Sequence, residues 1–189
     1  MGRSLQEIDE QPPATNRPVY IGIDNGPSGS IGVIREGWTD FAVLQDRGLV
    51  KFEQNWTKAK GNISRLVVPA FRMYITKIIW GAPAANIMME RPMVNPTRLL
   101  ATRVALRFLE AQLIVLEEMD LSVEYIDSKD WQTRENGLLP KGVKGTTELK
   151  RASKEIGKRM FPSWRAFFEE HGDADGMLIA EYCRRFFVL

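Results

Sequence analysis

The chain has 189 residues, of which 44% are hydrophobic, and its formal net charge is +2. This length fits one globular domain with its own core, and this composition excludes the apolar-poor, highly charged class of disordered proteins. The single cysteine, Cys183, excludes an internal disulfide and fits a reducing compartment, so we expect a cytoplasmic protein.

Residues 1–17 are polar and rich in proline, and we expect them to form a flexible tail before one domain at residues 18–189. Residues 19–34 predict a hairpin of two strands, with "NGPSG" as the turn. Residues 40–45 suggest a third strand. A helix is expected from about Ser64 to the glycine at position 81.

A short apolar strand is expected at residues 85–92, where Pro92 discourages its continuation. The clearest helix follows, with Asn95 as its cap and Pro96 as its first residue. Its apolar stripe is expected to comprise Leu99, Leu106, Leu109, Leu113 and Leu116. A strand at residues 121–127, a helix from about Thr147 and a last helix near the C-terminus complete the prediction. Strands followed by alternating helices and strands indicate an α/β fold around a mixed sheet.

One aspartate, Asp24, interrupts the first predicted strand where valine or isoleucine would be usual. A buried aspartate costs several kcal/mol unless it is paired or binds a metal. The plainer interpretation is a cap for the following turn, because aspartate is common in such places.

Two further carboxylates repeat this pattern at predicted element ends. Glu90 ends the apolar strand "NIMME", although a glutamate at a strand end is commonly solvated. Asp175 lies at helical spacing from apolar residues of the last helix, so it should face the sheet. Asp173 is a candidate cap for the same helix, and a helix N-terminus favours negative charge in any case.

The three carboxylates together predict a metal centre. Carboxylates that crowd together repel each other unless cations neutralise them. Oxygen ligands without a cysteine cluster suit Mg²⁺ or Mn²⁺, and two such ions can assist phosphodiester hydrolysis.

Four segments carry a resemblance to a known family: "IGIDNGPSGSIGVI", "IMMERPMVNPTR", "YIDSKDWQ" and "HGDADGMLIAEY". In this order and spacing they resemble the RuvC-like Holliday junction resolvases, above all those encoded by bacteriophages. The resemblance covers nearly the whole chain after the tail. It implies a ribonuclease H-like fold with a central five-stranded mixed sheet flanked by helices. It also implies a homodimer that nicks four-way DNA junctions with Mg²⁺ or Mn²⁺ and works in the cytoplasm, that of the host if a phage encodes it.

The same resemblance implies site residues. The family's first-strand aspartate matches Asp24, its strand-end glutamate matches Glu90, and its last acidic residue matches Asp175. The family's remaining ligand usually lies three or four residues before the last one, where this chain has Gly172 and His171. The fourth ligand is therefore Asp173 or His171, and His171 is also a candidate proton donor to the leaving oxygen.

Basic residues concentrate in positions 141–165 and predict a DNA contact. An ordinary solvated helix face would show the same charges, but like charges at helical spacing call for a partner, and a phosphate backbone would supply one. The predicted phosphate contacts are Lys141, Lys144, Lys150, Lys154, Lys158 and Arg98. Met93 follows Glu90 closely and is a candidate wedge between base steps, although a place in the core would explain it too. The long helix at residues 96–119 is the expected dimer element.

Three rival functions fit parts of this pattern. Actin-like ATPases and sugar kinases share the first glycine-rich turn, but they need two such domains and a second phosphate loop. A chain of 189 residues has room for one such domain and its sequence shows no second loop, so we expect no nucleotide cofactor. A non-catalytic junction-binding module would keep the basic surface but would not need Asp24, Glu90 and Asp175. A ribonuclease H-like nuclease for flaps, replication forks or RNA–DNA hybrids would keep all of these features.

Overall fold

The computed structural model of the protein describes residues 11–54, 62–94 and 96–188. Its central sheet has five strands in the order β3-β2-β1-β6-β7. These strands are β1 (Val19–Ile23), β2 (Ser30–Arg35), β3 (Trp38–Val43), β6 (Ala85–Glu90) and β7 (Val123–Ile126). β1 pairs antiparallel with β2 and parallel with β6, so the sheet is mixed. A separate antiparallel pair consists of β4 (Val50–Gln54) and β5 (Asn62–Leu66).

Helices cover both faces of this sheet. They are α1 (Val68–Ile79), α2 (Leu99–Glu117), α3 (Ser128–Gln132), α4 (Thr146–Met160), α5 (Arg165–His171) and α6 (Asp175–Val188). One core cluster joins the sheet to α1 and α2, and the other joins it to α4, α5 and α6. The predicted α/β class, with a central five-stranded mixed sheet flanked by helices, is confirmed. No helix in the described ranges has the length and apolarity that a membrane crossing requires.

The predicted helix from Ser64 begins too early. Ser64 lies in β5 and pairs with Phe52 of β4, and the helix begins at Val68. The sequence prediction assigned no element to the segment that forms β4. In the structure, pairing with β4 stabilises Ser64 as part of a strand and outweighs the helical spacing of the apolar residues that follow it. Asn95, the predicted cap of the long helix, lies outside the described residues.

The predicted leucine stripe of α2 is also wrong. Leu99 and Leu106 are 62% and 41% exposed, whereas Leu116 is fully buried. The buried face instead includes Phe108, Gln112 and Val115. In a helix with apolar residues all round, spacing alone does not identify the inward face.

The N-terminal segment contacts the domain at Pro13 and Thr15. The guanidinium of Arg35 donates a hydrogen bond of 2.7 Å to the carbonyl of Pro13, and the amide of Thr15 donates one of 3.1 Å to the carbonyl of Gly81. Residues 1–10 of the predicted tail lie outside the described residues, so the boundary at residue 17 stays a prediction.

Candidate metal centre

The sheet places Asp24 and Glu90 side by side. Asp24 directly follows β1, and Glu90 is the last residue of β6. The two strands are parallel, with Ile23 opposite Met89, so the next position on each strand is Asp24 and Glu90. Equal register also puts both side chains on the same face, because side chains alternate along strands.

Close packing of α6 on the sheet brings a third carboxylate to this edge. A Cβ atom on Gly22 or Gly32 would overlap backbone atoms of α6, and a Cβ on Gly176 would lie 2.6 Å from the carbonyl oxygen of Ser30. The Ser30 hydroxyl accepts a hydrogen bond of 3.1 Å from the amide of Gly176. The first turn of α6, which begins at Asp175, is therefore held against β1 and β2.

Asp24, Asp173 and Asp175 form one carboxylate cluster. One carboxylate oxygen from each residue lies within 4.8 Å of the other two. Asp173 is buried at 1% exposure, and it accepts a hydrogen bond of 3.2 Å from the amide of Asp175. The amide hydrogen bond uses Oδ1 of Asp173 as a helix cap would, and the carboxylate has a second oxygen. Asp173 can therefore be both the cap and a metal ligand.

Helix α4 contributes two side chains to the cluster. The Nζ atom of Lys150 lies 3.0 Å from Oδ2 of Asp173. The buried Ser153 hydroxyl donates a hydrogen bond to Asp175 and accepts one of 3.1 Å from the amide of Ala174. Ser153 thereby fixes the Asp175 carboxylate, and Lys150 partly neutralises the cluster.

Glu90 is held by the segment that follows β7. One of its carboxylate oxygens accepts a hydrogen bond of 2.7 Å from the Ser128 hydroxyl, and the other accepts one of 2.7 Å from Nε1 of Trp131. Trp131 is fully buried, and its indole orients a site carboxylate. Glu90 does not belong to the group within 4.8 Å, although its charge acts on Asp24 and Asp175.

The cluster favours protonated carboxyl groups when it holds no cation. Burial raises the pKa of Asp24 well above its ordinary value, and the charges of Asp175 and Glu90 raise it further. Burial, followed by the charge of Asp173, raises the pKa of Asp175 to about 7. Burial also raises the pKa of Glu90, against the two hydrogen bonds that it accepts. Lys150 opposes this effect, since its charge lowers the pKa values of both Asp24 and Asp175.

The pKa of Asp173 is shifted in the opposite direction to those of Asp24 and Asp175. Burial raises its pKa, but hydrogen bonds and charge from His171 and Lys150 outweigh burial, and the net pKa is lowered. Nε2 of His171 lies 3.4 Å from Oδ1 of Asp173, and the imidazole packs edge-on against Phe41. His171 therefore adjoins the cluster behind Asp173, and Asp173 is the residue that faces Asp24.

This donor set fits a hard divalent cation. The three clustered residues offer only carboxylate oxygens, the ligand type that Mg²⁺ and Mn²⁺ prefer. Burial first, and the neighbouring carboxylates second, raise the pKa values of Asp24 and Asp175, so the ionised forms of both residues are disfavoured. A divalent ion would supply the missing positive charge.

The predicted DNA-contact lysines divide into two groups. Lys141 and Lys144 are exposed in the loop before α4. Lys150 contacts the cluster, whereas Lys154 and Lys158 lie 2.9 and 2.5 Å from carboxylate oxygens of Glu169 in α5. The argument that the α4 lysines lack partners within the chain is therefore wrong. The loop lysines remain the clearer candidates for phosphate contact.

The predicted contacts after Glu90 are both exposed. Met93 is 77% exposed, so the core interpretation of this residue is wrong. Arg98 is also exposed, at the end of a 3₁₀ turn at Pro96–Arg98. Their roles in DNA contact stay predictions.

Sequence reasoning missed the side chains that support the carboxylates. These are Ser30, Ser128, Trp131 and Ser153, together with the direct role of Lys150 at the cluster. A signal existed for two of them, since the segment "YIDSKDWQ" contains Ser128 and Trp131. Ser153 lies within a basic helix, and nothing in its local sequence points to Asp175.

No protein-family model matches this chain, and no curated protein matches it in sequence. Among solved structures, it is similar to the RuvC of T. thermophilus in complex with a Holliday junction substrate, at 15% identity and a TM-score of 0.47. That match covers 90% of this chain and 94% of the other. A second Thermus thermophilus RuvC structure matches at 16% identity and a TM-score of 0.42, covering 90% and 95% of the two chains. Identities of 15% and 16% do not carry a function from one chain to another, so the function of this chain is argued from its own residues.

Proposed function

We propose that this chain is a divalent-metal-dependent endonuclease that resolves four-way DNA junctions. The observation that carries the proposal is the buried cluster of Asp24, Asp173 and Asp175, with Glu90 beside it. Three of the four segments that resemble the RuvC-like resolvases contribute all of these carboxylates, and the fourth contributes Ser128 and Trp131, which hold Glu90. A non-catalytic binding module has no need for a buried cluster of carboxylates, two of which have pKa values raised by burial and by their neighbours.

Asp24, Asp173, Asp175 and Glu90 would hold Mg²⁺ or Mn²⁺, with two ions in each site. When bound, such ions offset the charge of a phosphodiester and acidify a water molecule. Ser153 and Trp131 keep Asp175 and Glu90 in place, which lowers the cost of ordering the ligands.

The other groups bind substrate or handle a proton. Lys150 lies at the cluster with its ammonium group against Asp173, and it would turn to a phosphate oxygen when cations take over that carboxylate. The exposed Lys141 and Lys144 would hold the DNA backbone on the α4 side, and Arg98 and Met93 would contact it beyond Glu90. His171 is the candidate proton donor to the leaving oxygen, at one side of Asp173.

We propose that two copies act together, because resolving a junction needs two nicks. The bacteriophage origin and the cytoplasmic location suggested by the sequence belong to the same proposal. A nuclease for other branched DNA, or for RNA–DNA hybrids, would use the same carboxylates, so substrate shape must be tested directly.

The proposal predicts metal-dependent paired nicks in a labelled four-way junction. Matched duplex, flap and RNA–DNA hybrid substrates should be cut at least about 100-fold more slowly, as expected when geometry positions the phosphodiester. Glu90→Gln, which keeps the shape of the side chain but removes its charge, should bind the junction and fail to cut it.

Equal cutting of flaps and junctions would broaden the function to branched DNA in general. Tight junction binding without cleavage in either Mg²⁺ or Mn²⁺ would contradict a nuclease and support the binding module.

A further inference from the structure

The solvent side of α1 carries an open groove of about 500 Å³. One residue of the N-terminal segment lines it together with side chains of α1 and of the residue that follows this helix. The lining includes Gln11, Pro69, Arg72, Met73, Lys77 and Trp80. The members on the helix are mostly three or four positions apart, so they lie on one face of α1. We call this surface the α1 groove.

The α1 groove exposes large apolar side chains beside a cation. Met73 is 72% exposed and Trp80 is 47% exposed, although the opposite face of α1 is buried in the core. Exposed apolar residues are ordinary when they are scattered, but two that line one concavity indicate a binding surface. Arg72 in the groove pairs with Glu118, whereas Lys77 has no ion pair with any residue that the structure describes. An apolar and acidic occupant would therefore fit this surface.

The N-terminal segment leads directly into the α1 groove. Pro12 is buried, and the carbonyl of Pro13 accepts a hydrogen bond of 2.7 Å from the guanidinium of Arg35. The same guanidinium donates one of 2.9 Å to the carbonyl of Trp80, so it joins the segment to the C-terminal end of α1. Gln11, one residue before Pro12, already lines the groove. The chain that precedes Gln11 therefore meets the domain at the groove.

The ten residues before Gln11 have a composition that matches the groove. They include the apolar Leu5 and Ile8, and their three acidic residues, all within positions 7–10, outnumber their single arginine. The acidic positions are thus the ones next to the groove, where Lys77 lacks an anion. Ten extended residues reach about 33 Å, and a helix of 12 residues such as α1 is about 18 Å long. The segment is therefore long enough to follow the whole groove.

We propose that residues 1–10 of this chain occupy the α1 groove, with Leu5 and Ile8 against Met73 and the acidic positions beside Lys77. A segment tethered in the same chain has a local concentration of about the millimolar range, so a contact that is weak between separate molecules is enough to close the groove. The contact needs neither metal nor DNA and therefore stands apart from the proposed function. It lies on the face of the sheet that α1 and α2 cover, opposite to α4, α5 and α6.

Oxidation of Met73 in the full chain measures whether the groove is occupied. Hydrogen peroxide converts an accessible methionine to its sulfoxide, and Met93, which is 77% exposed and lies outside the groove, is the reference within the same chain. We expect Met73 to react about tenfold more slowly than Met93, as for a groove that is open about a tenth of the time. In the double variant Leu5→Ser/Ile8→Ser, the two methionines should react at similar rates. Mass spectrometry of the peptides gives both rates.

Charge reversal at Lys77 tests the polar part of the contact. Lys77→Glu should speed the oxidation of Met73 by about fivefold, because it sets like charges against each other. Lys129→Glu, a reversal at an exposed lysine outside the groove, should leave the rate unchanged. Far-ultraviolet circular dichroism of each variant should match that of the parent, so that a faster reaction reports an open groove and not an unfolded chain.

Equal oxidation of Met73 and Met93 in the parent would overturn the proposal and would leave the groove to a separate protein. Protection of Met73 that survives in Leu5→Ser/Ile8→Ser would also overturn it, because the segment would not be the occupant. Protection that is lost on 100-fold dilution would assign the segment to a second copy and would overturn the contact within one chain. Protection that is independent of concentration and lost in the double variant is the result that the proposal requires.

Discussion

Asp24→Asn is expected to slow single-turnover cleavage of a four-way junction by about 10³-fold or more, because it removes a charged oxygen ligand from the centre of the cluster. The same change should raise the melting temperature of the metal-free protein at pH 8. The folded-state pKa of Asp24 is raised above its unfolded value, so its ionised form opposes folding above that unfolded value. The neutral amide removes this opposition, and the difference should fade as the pH falls and the parent carboxyl becomes protonated.

Asp46→Asn is the matched control, since Asp46 is exposed in the segment after β3 and lies outside the carboxylate cluster. It should leave both the cleavage rate and the melting temperature close to those of the parent. An Asp24→Asn protein that cuts junctions at more than a tenth of the parental rate would contradict the role assigned to Asp24.

Gly22→Ala is expected to lower the free energy of unfolding by about 3 kcal/mol, which is large for one methyl group. The added Cβ would overlap backbone atoms of Ala180, Gly176 and Ile179 in α6, and backbone cannot turn aside as a long side chain can. Helix α6 would have to move off the sheet and would carry Asp175 with it. Urea unfolding measures the loss.

Gly37→Ala separates this steric effect from the general cost of replacing a glycine. Gly37 has a φ of +70° and open space around it, so alanine there should cost only about 1 kcal/mol of backbone strain. If Gly22→Ala were no more destabilising than Gly37→Ala, the close approach of α6 to β1 would not be a requirement of the fold.

Much of the sheet could be predicted because its strands carry their own signals. The apolar runs of β1, β2 and β6 are short and bounded by glycine, proline or charge, and each strand lies within about two residues of its prediction. β4 and β5 could not be assigned in this way, because neither has a distinctive pattern and each is stabilised by the other. The inward face of α2 depends on its neighbours in the fold, so the spacing of its leucines alone predicted the wrong buried face.

The carboxylates of the candidate site could be predicted because each one breaks a local rule. An aspartate after a buried strand and another at the apolar start of α6 are anomalies that need a tertiary explanation. Their supporting groups break no rule. A serine in α4 and a tryptophan in α3 look ordinary in sequence, and only the fold brings Ser153 to Asp175 and Trp131 to Glu90. The carboxylate that Lys154 and Lys158 share, Glu169, comes from a different helix.

The central claim is that the carboxylate cluster binds divalent cations, and calorimetric titration of the metal-free protein with Mn²⁺ tests it most directly. We predict binding at pH 8, and at least about tenfold weaker binding at pH 6, because the carboxyl of Asp175, with a pKa of about 7, must lose its proton to bind the ion. Binding should be lost in Asp24→Asn and unchanged in Asp46→Asn. Absence of binding at pH 8, or equal binding by Asp24→Asn and the parent, would contradict the account.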